Sequence, residues 1–325
     1  MKTLYHFLRL IRLLNLLVIV ITMTVVQMFL THNQPFDKTN FILLVISTVL
    51  IAAAGNIIND YFDVKADRVN KPNRLIIGKY IKRRWAMVLH WFFNVIGLFI
   101  ALYVGYVLQN IWIPLIAFLS INLLWFYSAY YKRKPLIGNV IVSLLIGILP
   151  VYVMLFNLPI ENYILPDNSN IIYARYYIDM VALVSVLAFL LNLIREIVKD
   201  IQDVRGDMRL RAQTLPIKYG LKKTKLIVFF LFIVTDLVLI FYLYKYLTWD
   251  GIFMNAISTI DNYTNFAVIE NNTRFLFFGL LLMSFLFLLA GVITTLTGNT
   301  IKVYKLSSIL FKISMIMGLL TPLVV

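Results

Sequence analysis

Apolar runs of about 18 to 25 residues, each closed by a polar or charged stretch, recur along the whole 325-residue chain. A run of that length crosses roughly 30 Å of hydrocarbon as an α-helix. Nine spans are predicted, at 11–30, 41–60, 85–108, 111–130, 136–156, 177–198, 226–247, 275–297 and 306–324. The first run, Ile11 to Leu30, is longer than the apolar core of a cleaved leader. It is followed by Thr31-His32-Asn33-Gln34-Pro35 rather than a small-residue cleavage site, so it reads as a retained span. No stretch is left for a separate soluble domain. The pattern predicts one domain, 1–325, of an all-α integral membrane protein, with structural connections at 158–176 and 248–274.

Composition agrees: 61% of residues are hydrophobic and 15% aromatic, and the mean hydropathy is +0.86. Both exceed what a soluble domain carries. The formal charge of +15 invites a nucleic-acid reading, but the basic residues follow topology instead. With the N-terminus inside, 24 of the 30 lysines and arginines fall in inside segments. Cytoplasmic loops collect such charge. The chain is therefore expected in the cytoplasmic membrane with its N-terminus cytosolic, bound to membrane lipid and to no nucleic acid. Lys82, Arg83, Arg84, Lys222, Lys223 and Lys225 read as contacts to anionic lipid.

Cysteine is absent, which removes thiolate nucleophiles, disulfides and sulfur-ligated metals. His6, His32 and His90 are too scattered for a zinc cluster and read as packed or interfacial side chains.

The chemistry lies in the acids. Asp60, Asp63 and Asp67 reappear, 140 residues later, as Asp200, Asp203 and Asp207. Each triplet begins where an apolar span ends. Positions i, i+3 and i+7 share one helical face, so spans 2 and 6 each end in a stack of carboxylates. Four crossings separate the two ends, which makes the halves parallel four-helix repeats with both acidic mouths on the cytosolic side. Counting Glu196, every acidic residue of the inside segments belongs to one of these clusters. Stacked like charges at membrane depth call for a compensating cation. Hard Mg²⁺ suits carboxylate and amide oxygens and keeps room for substrate phosphates. Lys71, Arg74, Lys199 and Arg205 are interleaved with the acids. Carboxylates, Mg²⁺ and basic side chains together make a diphosphate clamp, and an apolar tail on that diphosphate would suit a membrane bundle.

The residues resemble the UbiA superfamily of intramembrane prenyltransferases. Its first motif stands within 56–74 as Asn59-Asp60-Tyr-Phe-Asp63-Val-Lys-Ala-Asp67, and its second within 195–207 as Asp203-Val-Arg-Gly-Asp207. The resemblance covers essentially the whole chain. It implies that Asn59, Asp63, Asp67, Asp203 and Asp207, with Asp60 and Asp200 beside them, hold Mg²⁺ against the diphosphate of a polyprenyl donor. The donor then ionises to an allylic cation that an acceptor captures, and Asp63, Asp67, Asp203 and Asp207 carry the catalysis. With 24 Phe, 19 Tyr and five Trp available, a cavity rich in aromatic faces is expected to stabilise that cation. Tyr127 is the best candidate, because it precedes the basic turn Lys132-Arg133-Lys134.

Within the superfamily, Arg12-Leu-Leu-Asn15, Asn70-Lys71-Pro72-Asn73-Arg74, Lys132 to Asn139 and Lys199 to Asp207 look most like the geranylgeranylglycerol-phosphate geranylgeranyltransferase branch. That implies prenylation of a lipid-precursor hydroxyl, with Arg12, Asn15, Lys71, Arg74, Tyr127, Lys132, Arg133, Lys199 and Arg205 as substrate contacts. Arg74-Leu75 and Arg12-Leu13 stand where relatives carry Arg-Pro, which keeps an aromatic acceptor of quinone synthesis open. A cation-coupled transporter is the reading from another class. It is disfavoured because both motifs lie at one face beside long basic loops, whereas transporters place broken helices near the midplane.

Overall fold

The computed structural model describes residues 2–31, 36–70, 75–157, 168–209, 211–257 and 266–321. Ten α-helices are found among them: α1 (Lys2–Leu10), α2 (Leu13–Thr31), α3 (Lys38–Asn70), α4 (Arg83–Val107), α5 (Trp112–Ala129), α6 (Ile137–Asn157), α7 (Asn168–Arg209), α8 (Leu215–Ile257), α9 (Phe266–Thr297) and α10 (Ile301–Leu320). All but α1 are long and apolar enough to cross a membrane. The chain is a multi-pass membrane protein. Its outward face is apolar, as lipid requires: Phe230, Leu237 and Ile240 of α8 all lie on the surface. Backbone groups are satisfied within the helices, the solution hydrocarbon imposes.

The nine predicted spans correspond to α2 through α10. Their ends differ in a way that matters for function. The helices α3 and α7 do not stop at the membrane boundary but continue to Asn70 and Arg209, so both aspartate motifs ride on rigid helix. The predicted connections at 158–176 and 248–274 shrink, because α7 starts at Asn168, α8 runs to Ile257 and α9 starts at Phe266. Hydropathy marks where a helix leaves lipid, and helices propagate past that point wherever the residues permit.

Neighbouring helices pair in the same order in both halves, α3 with α4, α4 with α5 and α5 with α6, then α7 with α8, α8 with α9 and α9 with α10. The halves diverge in that α3 also packs on α5 whereas α7 packs on α10. Three apolar clusters hold the bundle. Leu10, Ile57, Val64 and Ile77 brace the first motif, Ile194, Ile197, Ile201 and Val228 brace the second, and Met23, Leu44, Val104 and Tyr242 fill the opposite end. Each motif helix is thus seated on its own core.

Tight junctions set the two motif ends. Beyond the first motif, Gly78 takes φ +88° and its N–H donates to the Ile81 carbonyl at 2.8 Å, a backbone conformation suited to glycine. Arg12, between α1 and α2, adopts φ 56°, rare for a side chain of its size. Asn56 of α3 secures that corner by donating to the Ile11 carbonyl at 2.9 Å.

Candidate functional site

The helices enclose a cavity of about 340 Å³. Its wall is aliphatic over most of its extent, with Ile51, Leu124, Val142, Leu149, Leu187 and Leu191 among the lining residues. Only three rings line it among the described residues, Tyr127, Tyr152 and Tyr242. The expected aromatic interior is therefore corrected: Trp85, Trp91, Phe99, Phe118 and Phe275 lie on the outer surface instead, where lipid and interface take aromatic rings. Tyr127 does line the cavity. Pro150 interrupts the hydrogen-bond ladder of α6 on the same wall.

One end of the cavity is polar. Arg12, Asn15, Asn56 and Asn59 enter from α3 and the α1–α2 corner, and Arg195, Glu196 and Lys199 from α7. The carboxylates of the motifs stand further along the two helices than this wall. Asp63 lies four residues beyond Asn59, roughly 6 Å along the helix. Arg12 Nη2 bonds Asp60 Oδ1 at 2.7 Å. Burial alone would lower the Arg12 pKa, but Asp60 outweighs it and raises the value above the ordinary one.

Lys132 makes the second link. It sits in a short 3-10 turn, Tyr131–Arg133, that follows α5. Its Nζ bonds the Asp63 carboxylate and donates to Asn59 Oδ1 at 2.9 Å. Asn59 and Asp63 share a face at i and i+4, so their oxygens converge on one cation. Burial opposes the ammonium, yet Asp63 and Tyr127 more than offset it and hold its pKa above the lysine range. The turn can approach α3 because Gly138, at the start of α6, has no side chain. A Cβ there would lie 2.9 Å from the Tyr131 carbonyl oxygen and 3.0 Å from Lys132 Cα. The next residue, Asn139, donates to Asp200 Oδ2 at 2.9 Å, and the Arg133 carbonyl accepts from the Gln213 N–H at 2.9 Å. The segment 131–139 therefore ties the first motif to the second.

Of the residues predicted as substrate contacts, Arg12, Asn15, Tyr127 and Lys199 line the cavity. Arg133 and Arg205 do not, and both are exposed. Lys71 and Arg74 lie outside the described residues, as does His32. His90 is buried and bonds the Ala54 carbonyl at 2.9 Å, and His6 stacks on Tyr80, both packing roles. The sequence reading passed over Asn139, Asn192, Arg195 and Lys312 as site residues. For the last two a signal existed, an ionisable group in mid-span.

The chemistry of the donor set fits a hard divalent cation. Asn59, Asp60, Asp63, Asp67, Asp200, Asp203 and Asp207 offer only oxygen, and Asn59 with Asp63 already converge on a positive charge. Among the described residues no three Asp, Glu or His side chains gather closely enough to hold a metal. Asp60 is paired with Arg12, Asp63 with Lys132 and Asp200 with Asn139.

Comparison with known proteins gives a consistent picture. The model of the UbiA prenyltransferase family matches residues 18–267. The digeranylgeranylglyceryl phosphate synthase of Pyrococcus horikoshii is 39% identical over 197 residues, 59% of this chain and 61% of that protein. The chain thus matches about three fifths of the length of such curated relatives. A solved structure concerned with digeranylgeranylglyceryl phosphate synthase in membranes superposes with a TM-score of 0.64 at 24% identity, covering 100% of this chain and 98% of that one. A UbiA homologue from Archaeoglobus fulgidus, bound to DMAPP and Mg²⁺, gives 0.57 at 16% identity over 97% of this chain and 99% of its own. At these identities the structures share the fold.

Proposed function

The chain belongs to the UbiA prenyltransferase family, and from that premise we propose that it transfers a polyprenyl group from its diphosphate to the free hydroxyl of a geranylgeranylglyceryl phosphate-like acceptor. The observation that carries this reading is the aliphatic cavity whose polar end joins Arg12 and Asn59 to Glu196 and Lys199. Such a space suits an isoprenoid chain with its charged head at the mouth. The single domain spans 1–325, and the excess of basic residues on the motif side favours a cytoplasmic membrane with that mouth toward the cytosol.

In the reaction the bond between the donor's first carbon and the diphosphate oxygen breaks, the acceptor oxygen bonds that carbon, and the hydroxyl proton is released. Asn59, Asp63 and Asp67 of α3 with Asp203 and Asp207 of α7, flanked by Asp60 and Asp200, would hold Mg²⁺. When bound, Mg²⁺ neutralises charge on the leaving diphosphate. Lys132 and Arg12 are cations held by carboxylates at the same place, and each can pass from carboxylate to phosphate oxygen as the substrate enters. Tyr127 borders the reacting end. The aliphatic wall excludes water that would otherwise capture the allylic cation.

The Pyrococcus horikoshii relative is named a digeranylgeranylglyceryl phosphate synthase, which favours a lipid hydroxyl over an aromatic ring as nucleophile. Purified protein offered labelled geranylgeranyl diphosphate tests the choice. Label in geranylgeranylglyceryl phosphate supports the proposal. Label only in 4-hydroxybenzoate moves the protein to aromatic prenylation.

A further inference from the structure

The cavity holds two cations that the donor contacts do not use, Arg195 and Lys312. Asn192, Arg195, Glu196 and Lys199 line it from α7, and Lys312 lines it from α10. Arg195 Nη1 bonds Glu196 Oε1 at 3.0 Å, and Lys199 bonds the same oxygen. One carboxylate thus serves two cations. Lys312 has no hydrogen bond or ion pair among the described residues. Two further groups are shut off from solvent without a partner, Arg195 Nε and Asn192 Oδ1. Asn192 is itself 0% exposed, its Nδ2 donating to Ser143 Oγ at 3.1 Å.

Arg195, Lys199 and Lys312 against Glu196 and Asp200 leave one positive charge uncompensated within the membrane-spanning bundle. That is an expensive arrangement for an empty cavity and a natural one for an anion. Arg195 is also displaced from the diphosphate end, to which Lys199, beside Asp200, belongs. Arg195 precedes Asp203 by eight residues, roughly 12 Å along α7.

We propose that Arg195 and Lys312 form an anion subsite for the phosphate monoester of the acceptor, separate from the site that takes the donor's diphosphate. The proposal rests on the prenyl-transfer reading for the identity of its ligand. A phosphate monoester carries about −1.5 to −2 near neutrality, enough to offset the surplus and to bond both cations at once. The guanidinium of Arg195 supplies paired donors suited to phosphate and the ammonium of Lys312 supplies point charge. The subsite would therefore select for a phosphorylated acceptor and fix its hydroxyl relative to the donor.

The test is equilibrium binding to the full-length protein in detergent, with EDTA present so that neither metal nor turnover contributes. Labelled geranylgeranylglyceryl phosphate is compared with the same ether lipid lacking its phosphate, for the wild-type protein and for Lys312→Met, Arg195→Gln and Lys312→Arg. The wild type is expected to prefer the phosphorylated lipid by about tenfold or more, as hydrogen bonds to charged groups allow. Lys312→Met and Arg195→Gln lose that preference, and Lys312→Arg keeps most of it, which separates charge from fold damage. Binding of geranylgeranyl diphosphate with Mg²⁺ stays within about twofold of wild type in all three. Unchanged preference in both charge-removing variants overturns the subsite. A parallel loss of diphosphate affinity also overturns it, by assigning the cations to the donor. Phosphate preference in a protein that transfers no prenyl group would keep the subsite and remove the transferase reading, and transfer with no phosphate preference would do the reverse.

Discussion

Replacing Lys132 by Met separates the two roles the structure gives that side chain. The ammonium bonds Asp63 and Asn59, and its removal leaves Asp63, whose side chain is 16% exposed, without its countercharge. A deeply buried pair would lose about 3–5 kcal/mol on such a deletion. Lys132 keeps 34% of its side-chain surface, and solvent screens a pair at that exposure. About 2 kcal/mol is the reasoned cost, near the middle of the range for hydrogen bonds to charged groups. Unfolding entropy of about 2.1 cal/mol/K per residue over this chain converts that into a fall in Tm of about 3 °C. Asp63→Asn removes the stranded charge, so the double variant should recover about half of the loss in a double-mutant cycle. Catalysis behaves differently. If Lys132 also meets the diphosphate, kcat/KM for the donor falls by about 10- to 150-fold, the equivalent of one charged contact, and Asp63→Asn does not restore it. Thermal unfolding in detergent and steady-state kinetics with the donor varied read the two effects independently. Wild-type Tm together with donor kinetics within twofold of wild type would refute the reasoning, because Lys132 would then be a surface cation fixed only by topology.

Gly138→Ala should act on the same lysine from a distance. The added methyl meets the Tyr131 carbonyl and Lys132 Cα, so the turn must shift, at a cost of about 1–3 kcal/mol, with a raised donor KM. A normal donor KM in the folded variant would show that the turn's position is unimportant. Asp37 caps α3 by accepting from the Asn40 N–H at 3.0 Å and from the Asn40 side chain, and these bonds hold its carboxyl below the ordinary value of 3.8. A depressed carboxyl stabilises above its unfolded pKa and loses that contribution as pH falls through the folded value. Asp37→Ala should therefore cost up to about 1 kcal/mol near neutrality, with the difference from wild type in urea unfolding narrowing as pH drops below 4. A difference independent of pH would contradict the assignment.

The membrane spans were legible because lipid leaves a chain no alternative to long apolar helices. The two motifs were legible because helical spacing puts Asp60, Asp63 and Asp67, and their counterparts on α7, on single faces. What the sequence could not supply was pairing across helices. Lys132 reads in sequence as a diphosphate ligand. In space it is first a partner of Asp63 and Asn59, brought there by a turn that depends on Gly138. Arg133 and Arg205 read alike and are exposed, since a basic residue in an inside loop has topology as sufficient cause. The aromatic interior failed for a related reason: a count of rings does not say whether they face lipid or cavity, and Trp85, Trp91, Phe99, Phe118 and Phe275 face outward. Arg195 and Lys312 stood in the sequence as charges inside spans. Only the packing of α7 and α10 around one cavity shows that they line the same wall.

The central claim is that two aspartate motifs on α3 and α7 together operate a diphosphate. Its most direct test measures transfer from labelled geranylgeranyl diphosphate to geranylgeranylglyceryl phosphate by purified wild type, Asp63→Asn and Asp203→Asn, each with Mg²⁺ and with EDTA. The account predicts transfer by the wild type that requires Mg²⁺, and a loss of about a hundredfold or more in either variant, the scale at which removing one electrostatic contact to developing charge is felt. Transfer that persists in EDTA, or near-normal turnover by either folded variant, would contradict it.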